Sequence, residues 1–177
     1  MEDDKHIYLK EFKTPVGELL LGVFQDELCL CDWKYRRMRK AIDQRITSGL
    51  EATFLIQDHP LHHEVIQQIQ AYFSKKINVF QLPIRLVGTP FQQQVWETLL
   101  TIPYGETVSY LALAEKIDNK SAVRAVASAN GANALSLIVP CHRVIGSNKA
   151  LVGYAGGLSA KKKLLELESK MQQLELF

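Results

Sequence analysis

Residues 88–114, GTPFQQQVWETLLTIPYGETVSYLALA, and residues 119–145, NKSAVRAVASANGANALSLIVPCHRVI, carry the pattern that decides the fold. Thr89 offers a side-chain oxygen for an N-cap, and Pro90 suits the first turn of the helix that follows. Phe91, Val95, Leu99 and Ile102 recur at helical spacing until Pro103 ends the run. Tyr104-Gly105-Glu106 turns the chain, and Ser109 can cap a second helix reaching Ile117. A third starts at Asn119 or Ser121 and runs to about Ala129, with Asn130-Gly131 closing it. Leu135 to Val139 is an unbroken apolar run stopped by Pro140, which predicts a short buried strand. Three helices followed by a strand make the outline of a helix-turn-helix with a wing. Downstream, Ser159 is placed to cap a last helix with Leu164, Leu167 and Met171 on one face.

Upstream the texture is different. Ile7, Leu9 and Glu11 alternate with Tyr8, Lys10 and Phe12, and Thr14-Pro15-Val16-Gly17 supplies turn chemistry. Glu18 to Phe24 and Glu27 to Trp33 follow as strands around Gln25-Asp26, so an antiparallel meander is expected. Arg36 to Ile46 and Leu61 to Phe73 read as helices, and Phe80 to Val87 as a further strand that Pro83 confines to an edge. The expectation is an α/β protein of two domains. Residues 1–84 form an amino-terminal antiparallel sheet with helices, and residues 85–177 a helical domain that includes a C-terminal helix and tail.

The chain of 177 residues is long enough for either unit to bury a core, and 47% apolar with 23% charged residues is ordinary for a globular protein. No apolar run approaches the roughly 20 residues of a membrane helix, and MEDDKHIYLKEF lacks the apolar stretch of a secretory signal. The three cysteines are odd in number and scattered, so no disulfide framework is implied and a reducing cytoplasm is expected. Residues 85–177 hold 10 basic and 7 acidic side chains, a balance that permits nucleic-acid binding without demanding it.

Cys141 is the sharpest chemical feature. It follows the apolar run and Pro140 and stands beside His142 and Arg143. A thiol becomes a strong nucleophile only as the thiolate, and a neighbouring imidazole or cation lowers its pKa. In an extended segment adjacent side chains diverge, so a water bridging Cys141 and His142 is the easier geometry. Taken alone, the pair also reads as a small buried hydrophobe next to a surface histidine.

The residues around it carry more. IVPCHRVIG, preceded by RAVASANGAN and followed by GYAGGL, resembles the active-site region of the O6-alkylguanine-DNA alkyltransferases, the methylated-DNA–protein-cysteine methyltransferases. GTPFQQQVWETLLTIPYGETVSYLALA does so too, and the resemblance runs from Gly88 to Glu168. The first half is similar more loosely, through TPVGELLLG and the helix-rich stretch before Leu82. The resemblance implies an RNase H-like amino-terminal domain and a winged helix-turn-helix domain. It also implies stoichiometric transfer of an alkyl group from O6-alkylguanine in double-stranded DNA to Cys141, by a monomer that needs no cofactor.

Residue by residue, it makes Cys141 the acceptor and places His142 in the chain that takes the thiol proton. Glu168 would orient His142, Asn133 would brace the site, and Tyr110 would supply a proton to the leaving base. Arg124 would fill the stack behind a flipped base. Ala125, Ser128, Ala129 and Gly131 are small enough to let their helix approach the minor groove. Val144, Val152, Tyr154, Ala155 and Gly156 would line the alkyl pocket. The resulting thioether has no carbonyl for water to attack, so each molecule acts once.

Asn133-Ala134 stands where the family usually has Asn-Pro, and Asn148 and Lys149 lie in the turn after Cys141. Cys29 and Cys31 share a strand face and His59, His62 and His63 cluster, but no usual zinc spacing is met, so no metal is expected. The tail Gln173-Leu174-Glu175-Leu176-Phe177 resembles the short peptides with which bacterial repair proteins dock on the sliding clamp. Its alternative is a fraying helix end. Two other functions compete with repair. A winged-helix regulator would want base-reading side chains on the third helix, and a cysteine hydrolase built on Cys141 and His142 would want an oxyanion hole and turnover.

Overall fold

The structure, a computed structural model, describes residues 4–169. Met171 and the clamp-like tail Gln173 to Phe177 lie outside those residues. The chain divides into two compact units, Met1–Gly88 and Thr89–Phe177. No helix among the described residues is long and apolar enough to cross a membrane.

The first unit is built on β1 (His6–Thr14), β2 (Gly17–Phe24) and β3 (Glu27–Trp33), paired antiparallel as the alternation predicts. Thr14 closes the first turn, its hydroxyl donating to the Gly17 carbonyl at 2.8 Å. Gln25 and Asp26 both take positive φ, 47° and 61°, the two left-handed residues of a tight hairpin. Gly22 is required by packing, because a Cβ there would sit 2.9 Å from Leu30 Cβ.

The sheet is mixed rather than antiparallel. After α1 (Arg39–Leu50), β4 (Thr53–Ile56) pairs parallel with β1, giving the order β3-β2-β1-β4. A parallel neighbour needs a crossover, and α1 supplies it. Four mostly exposed residues without alternation leave no periodicity to read. Phe80 to Val87 is not a strand either; it makes one bridge, Leu28 to Ile84. Pro83 has no N–H to donate, but its carbonyl accepts from Leu28 at 2.8 Å. Arg85 donates its N–H to the Leu28 carbonyl and pairs with Glu27 at 2.6 Å, which keeps it in the first unit beyond the expected break at Ile84.

α1 packs on β3, and α2 (Pro60–Phe73) on β1 and β2, burying Val65, Ile69 and Tyr72. Cys29 and Cys31 are core residues, and burial pushes the Cys29 thiol up to about 12 and raises Cys31 as well. His59 caps α2 by accepting from the Leu61 N–H, and His62 Nδ1 accepts from the His59 N–H at 3.0 Å. His62 Nε2 therefore carries the proton, which it shares between the carbonyls of Tyr8 (3.0 Å) and Leu21 (3.2 Å).

Burial, more than its hydrogen bonds offset, lowers the His62 pKa from its ordinary 6.5. Unfolded chains then bind the extra proton first. The His62 contribution to stability is full above pH 6.5 and is lost as pH falls through the lower folded value. Urea midpoints measured across that window are expected to drop with acid in the natural protein and to stay flatter in His62→Gln; equal slopes would remove His62 as the cause.

In the second unit, α3 (Pro90–Leu99) opens on a capping box. Thr89 Oγ1 accepts from the Gln92 N–H at 3.1 Å, and the Gln92 side chain accepts from the Thr89 N–H at 3.0 Å. The helix stops at Leu99, short of Ile102, whose N–H turns back to the Leu99 carbonyl. Ser109 caps α4 (Tyr110–Lys116), its hydroxyl accepting from the Ala112 N–H at 3.0 Å. A short 3₁₀ turn, Lys120–Ala122, leads into α5 (Val123–Gly131). Trp96 ties α3 to α5 by donating its indole N–H to the Ala129 carbonyl at 2.8 Å.

Leu135 to Val139 is buried but is a turn, not the expected strand. The Asn133 amide supplies local partners, donating to the Val139 carbonyl and accepting from the Leu135 N–H, both at 2.9 Å. Leu137 pivots the turn at φ 72°, a conformation that costs a branched residue about 1 kcal/mol. The ladder comes later, where β6 (Val144–Ile145) pairs parallel with β5 (Val108–Ser109). The last helix, α6 (Leu158–Glu168), begins after Gly157 at φ 90°. Ser159 sits inside its first turn and makes no cap, because glycine tolerates the left-handed entry without one.

Candidate active site

Pro140 sets the geometry of the site. Its φ of −81° and ψ of 63° form an inverse γ-turn, closed by the Cys141 N–H on the Val139 carbonyl at 2.8 Å. Cys141–Arg143 then winds one 3₁₀ turn instead of extending as expected. The turn buries all three side chains, leaving Cys141 3% exposed and His142 fully covered.

Glu168, on the last turn of α6, is the hub. Its Oε2 meets His142 Nε2 at 2.7 Å, and its two oxygens accept from Arg143 Nε at 2.7 Å and Nη2 at 3.1 Å. Burial alone would raise the Glu168 carboxyl, but the hydrogen bonds and charges of His142 and Arg143 override it and hold it at about 2. An ionised carboxylate can only accept, so His142 Nε2 carries hydrogen and neutral His142 has its free lone pair on Nδ1. That nitrogen is buried and makes no hydrogen bond among the described residues. Tyr154 packs edge-on against the same ring, centroids 6.5 Å apart.

Asn133 braces the turn that leads into Cys141. Tyr110 donates its hydroxyl to the Val152 carbonyl at 3.1 Å. Burial first, and the charge of Cys141 second, raise its pKa. Val144 is fully buried, Val152 is exposed, and Tyr154, Ala155 and Gly156 are half-buried. On α5, Arg124, Ala125, Ser128 and Gly131 form one exposed stripe at helical spacing. Ala129 does not join it. It is buried, with its carbonyl occupied by Trp96, because its position in the helical repeat turns it to the core.

Two buried cations escaped the sequence reading. Arg143 registers only as a positive neighbour of Cys141, yet it clamps Glu168, donates Nη1 to the Ile102 carbonyl at 2.7 Å and lies over the Tyr104 ring. Lys161 reads as one of three consecutive lysines on a solvated helix face, and Lys162 and Lys163 are exposed. Lys161 itself is fully buried. Tracing the core-facing repeat Ala160, Leu164 and Glu168 would have placed position 161 beside it, but a lysine there gives no apolar signal.

Comparison with known proteins matches the same region. Residues 90–170 fit the family model described as 6-O-methylguanine DNA methyltransferase, DNA binding domain. The methylated-DNA–protein-cysteine methyltransferase of Mycobacterium leprae is 39% identical over 165 residues, covering 92% of each chain. The constitutive enzyme of that name from Bacillus subtilis is 40% identical over 161 residues, 89% of this chain and 92% of the other. Among solved structures, Mycobacterium tuberculosis OGT in complex with DNA aligns with a TM-score of 0.77 at 38% identity, covering 92% of both chains. With the Cys141, His142 and Glu168 arrangement lying inside the matched segment, the chain belongs to the methylated-DNA–protein-cysteine methyltransferase family.

Proposed function

We propose that this protein repairs DNA by transferring an alkyl group from O6-alkylguanine to Cys141, irreversibly and once per molecule. The observation that carries the reading is the hydrogen-bond pattern at His142. Ionised Glu168 holds Nε2–H and leaves Nδ1, which has no hydrogen-bond partner among the described residues, as the acceptor nitrogen of the residue next to the thiol. The thiol proton passes to that nitrogen through a bridging water. The thiolate then attacks the alkyl carbon in line, forming a C–S bond while the C–O6 bond breaks and its electron pair leaves with guanine. Tyr110 leaves the Val152 carbonyl to give the departing base its proton, and recovers one through solvent.

The finer architecture follows the same reading. The α3–α5 helices act as a helix-turn-helix with β5 and β6 as a small wing, and the first unit as an RNase H-like domain. The exposed stripe Arg124, Ala125, Ser128 and Gly131 enters the minor groove, where its small side chains permit close approach. Arg124 occupies the stack after the damaged nucleotide flips out, since a carbon inside the duplex is beyond the reach of sulfur. Asn133 couples that helix to the reactive turn. Val152, Tyr154, Ala155 and Gly156 border the alkyl group, with Val144 behind them.

Mass spectrometry after mixing with duplex DNA containing O6-methylguanine tests the reaction. The expected product is one added methyl on the Cys141 peptide, with one guanine restored per protein and no adduct in Cys141→Ala. Methyl on another residue, or many guanines restored per protein, would overturn the reading.

A further inference from the structure

We infer that the segment Tyr35–Lys40 of the first unit is a second DNA-contacting surface, which holds backbone phosphates through Arg37 and Lys40. The inference rests on the reading that this protein acts on double-stranded DNA, and it adds an interface that the reactive site does not supply. Residues 34–40 read KYRRMRK, five basic side chains in seven and none acidic, the densest basic run in the chain.

Folding divides these five cations into two groups. Arg36 Nη1 donates to both oxygens of the fully buried Asp32, at 3.1 and 3.0 Å. Arg39 Nη1 reaches the same carboxylate at 3.0 Å, and its Nη2 pairs with Asp43 at 2.8 Å. Lys34 pairs with Glu11 at 2.9 Å and with Glu18 at 3.6 Å. Those three charges are balanced within the first unit. Arg37 and Lys40 are exposed and form no ion pair among the described residues.

The balanced residues also fix the shape of the segment. The Arg36 N–H donates to the Trp33 carbonyl at 3.3 Å, and the Arg36 carbonyl accepts from the Arg39 N–H at 3.2 Å. Two successive turns result, joined at a buried arginine. Tyr35 projects from the first turn, 78% exposed, with the Lys34 ammonium over its ring at 5.2 Å. Arg37 and Met38 form the second turn, Met38 being 56% exposed, and Lys40 follows in the first turn of α1. A surface already held in shape loses little conformational freedom when its ligand arrives.

Stability does not account for the two unbalanced charges. The positive end of the helix dipole lies at the start of α1, where a cation is disfavoured and an anion welcome. That turn contains no acidic residue, and no side chain caps it. An incoming polyanion reverses the sign of the interaction. Duplex DNA is such a polyanion, and on the reading above it is the substrate. The second unit offers it a sparse cationic footprint, since Arg124 is the one charged residue in the exposed stripe of α5. Phosphates also accept from hydroxyls such as that of Tyr35, and the apolar Met38 side chain suits the sugar edge between them.

The test is the salt dependence of binding, because each phosphate that a cation neutralises releases condensed counter-ions. Fluorescence anisotropy follows the full chain on a labelled duplex free of O6-alkylguanine across a series of salt concentrations. Arg37→Gln/Lys40→Gln is expected to lower the slope of log affinity against log salt by about two. Affinity at about 0.1 M salt should fall roughly 50-fold with it. Arg37→Lys/Lys40→Arg keeps both charges and should keep the natural slope. Transfer from a free O6-alkylguanine base should run at one rate in all three proteins, since neither residue belongs to the reactive site.

An unchanged slope in the glutamine variant overturns the inference, as does an equal loss in the variant that keeps both charges. Labelled polyglutamate that binds with the slope of the duplex, and loses it in the glutamine variant, would assign the segment to acidic proteins and overturn its assignment to DNA. Failure of the natural protein to bind the duplex at all would instead sink the repair reading.

Discussion

Glu168→Gln is expected to lower the stability of the folded protein by about 3–5 kcal/mol, the usual loss when one partner of a buried ion pair is removed. The glutamine fits the space, but it cannot neutralise Arg143, whose side chain is only 9% exposed. It also offers one acceptor oxygen where Glu168 presents two to His142 and Arg143. Calorimetry should show a melting temperature lower by roughly 6–12 °C for a loss of about 3 kcal/mol. Adding Arg143→Met removes the orphaned charge and should return part of the stability, although the Ile102 carbonyl then loses its donor. Methyl transfer should slow as well, because an amide can no longer favour His142 in its protonated form.

Acid offers a second measurement of the same group. The folded Glu168 pKa of about 2 lies below the ordinary 4.5, so unfolded chains bind this proton first. Its stabilisation is present above about pH 4.5 and is lost as pH falls towards about 2. The natural protein should therefore lose stability more steeply than Glu168→Gln across that window. A destabilisation below about 1 kcal/mol, with parallel acid limbs, would mean that the pair is weakly coupled to folding.

Trp96→Ala should cost a similar amount, about 3–5 kcal/mol, by leaving a cavity where a fully packed indole stood. Trp96 is 2% exposed and its N–H is a donor to the Ala129 carbonyl, so truncation also leaves that buried carbonyl with the Ala132 N–H at 3.1 Å in place of two donors. The milder Trp96→Phe separates packing from position. It keeps most of the volume but removes the hydrogen bond from α3 to α5, and α5 bears Arg124, Ser128 and Gly131 on its exposed face. Affinity for duplex DNA is expected to fall, while transfer from a small free O6-alkylguanine base, which needs no groove contact, stays near its natural rate. Equal losses on both substrates would show that Trp96 supports the whole unit rather than the aim of α5.

The elements that could be read from residues alone are those with a local cause. Thr89 and Gln92 reciprocally satisfy the donors at the start of α3, so that helix announces itself in four residues. Ser109 does the same for α4, and the alternation of β1 to β3 survives because each strand is long enough to show it. The misreadings share the opposite feature. Leu135 to Val139 has the composition of a buried strand, but the Asn133 side chain supplies partners that a ladder would otherwise provide. β4 exists because β1 presents an edge to it, and its four residues contain no trace of that neighbour.

The site divides along the same line. Cys141, His142 and Arg143 are adjacent in the chain, so their chemical types and the need for a base were open to inspection. The family resemblance extended that to Glu168, Tyr110 and Asn133 without showing what each touches. Folding alone decided which His142 nitrogen is basic, because Glu168 arrives from 26 residues away to claim the other. Folding also turned Ala129 inward and buried Lys161 while leaving Lys162 and Lys163 in water. Residue type sets what a group can donate, accept or attack, and is written locally. Whether it is charged, and towards what, depends on solvent exclusion and on partners distant in the chain, which exist only once the chain has closed on itself.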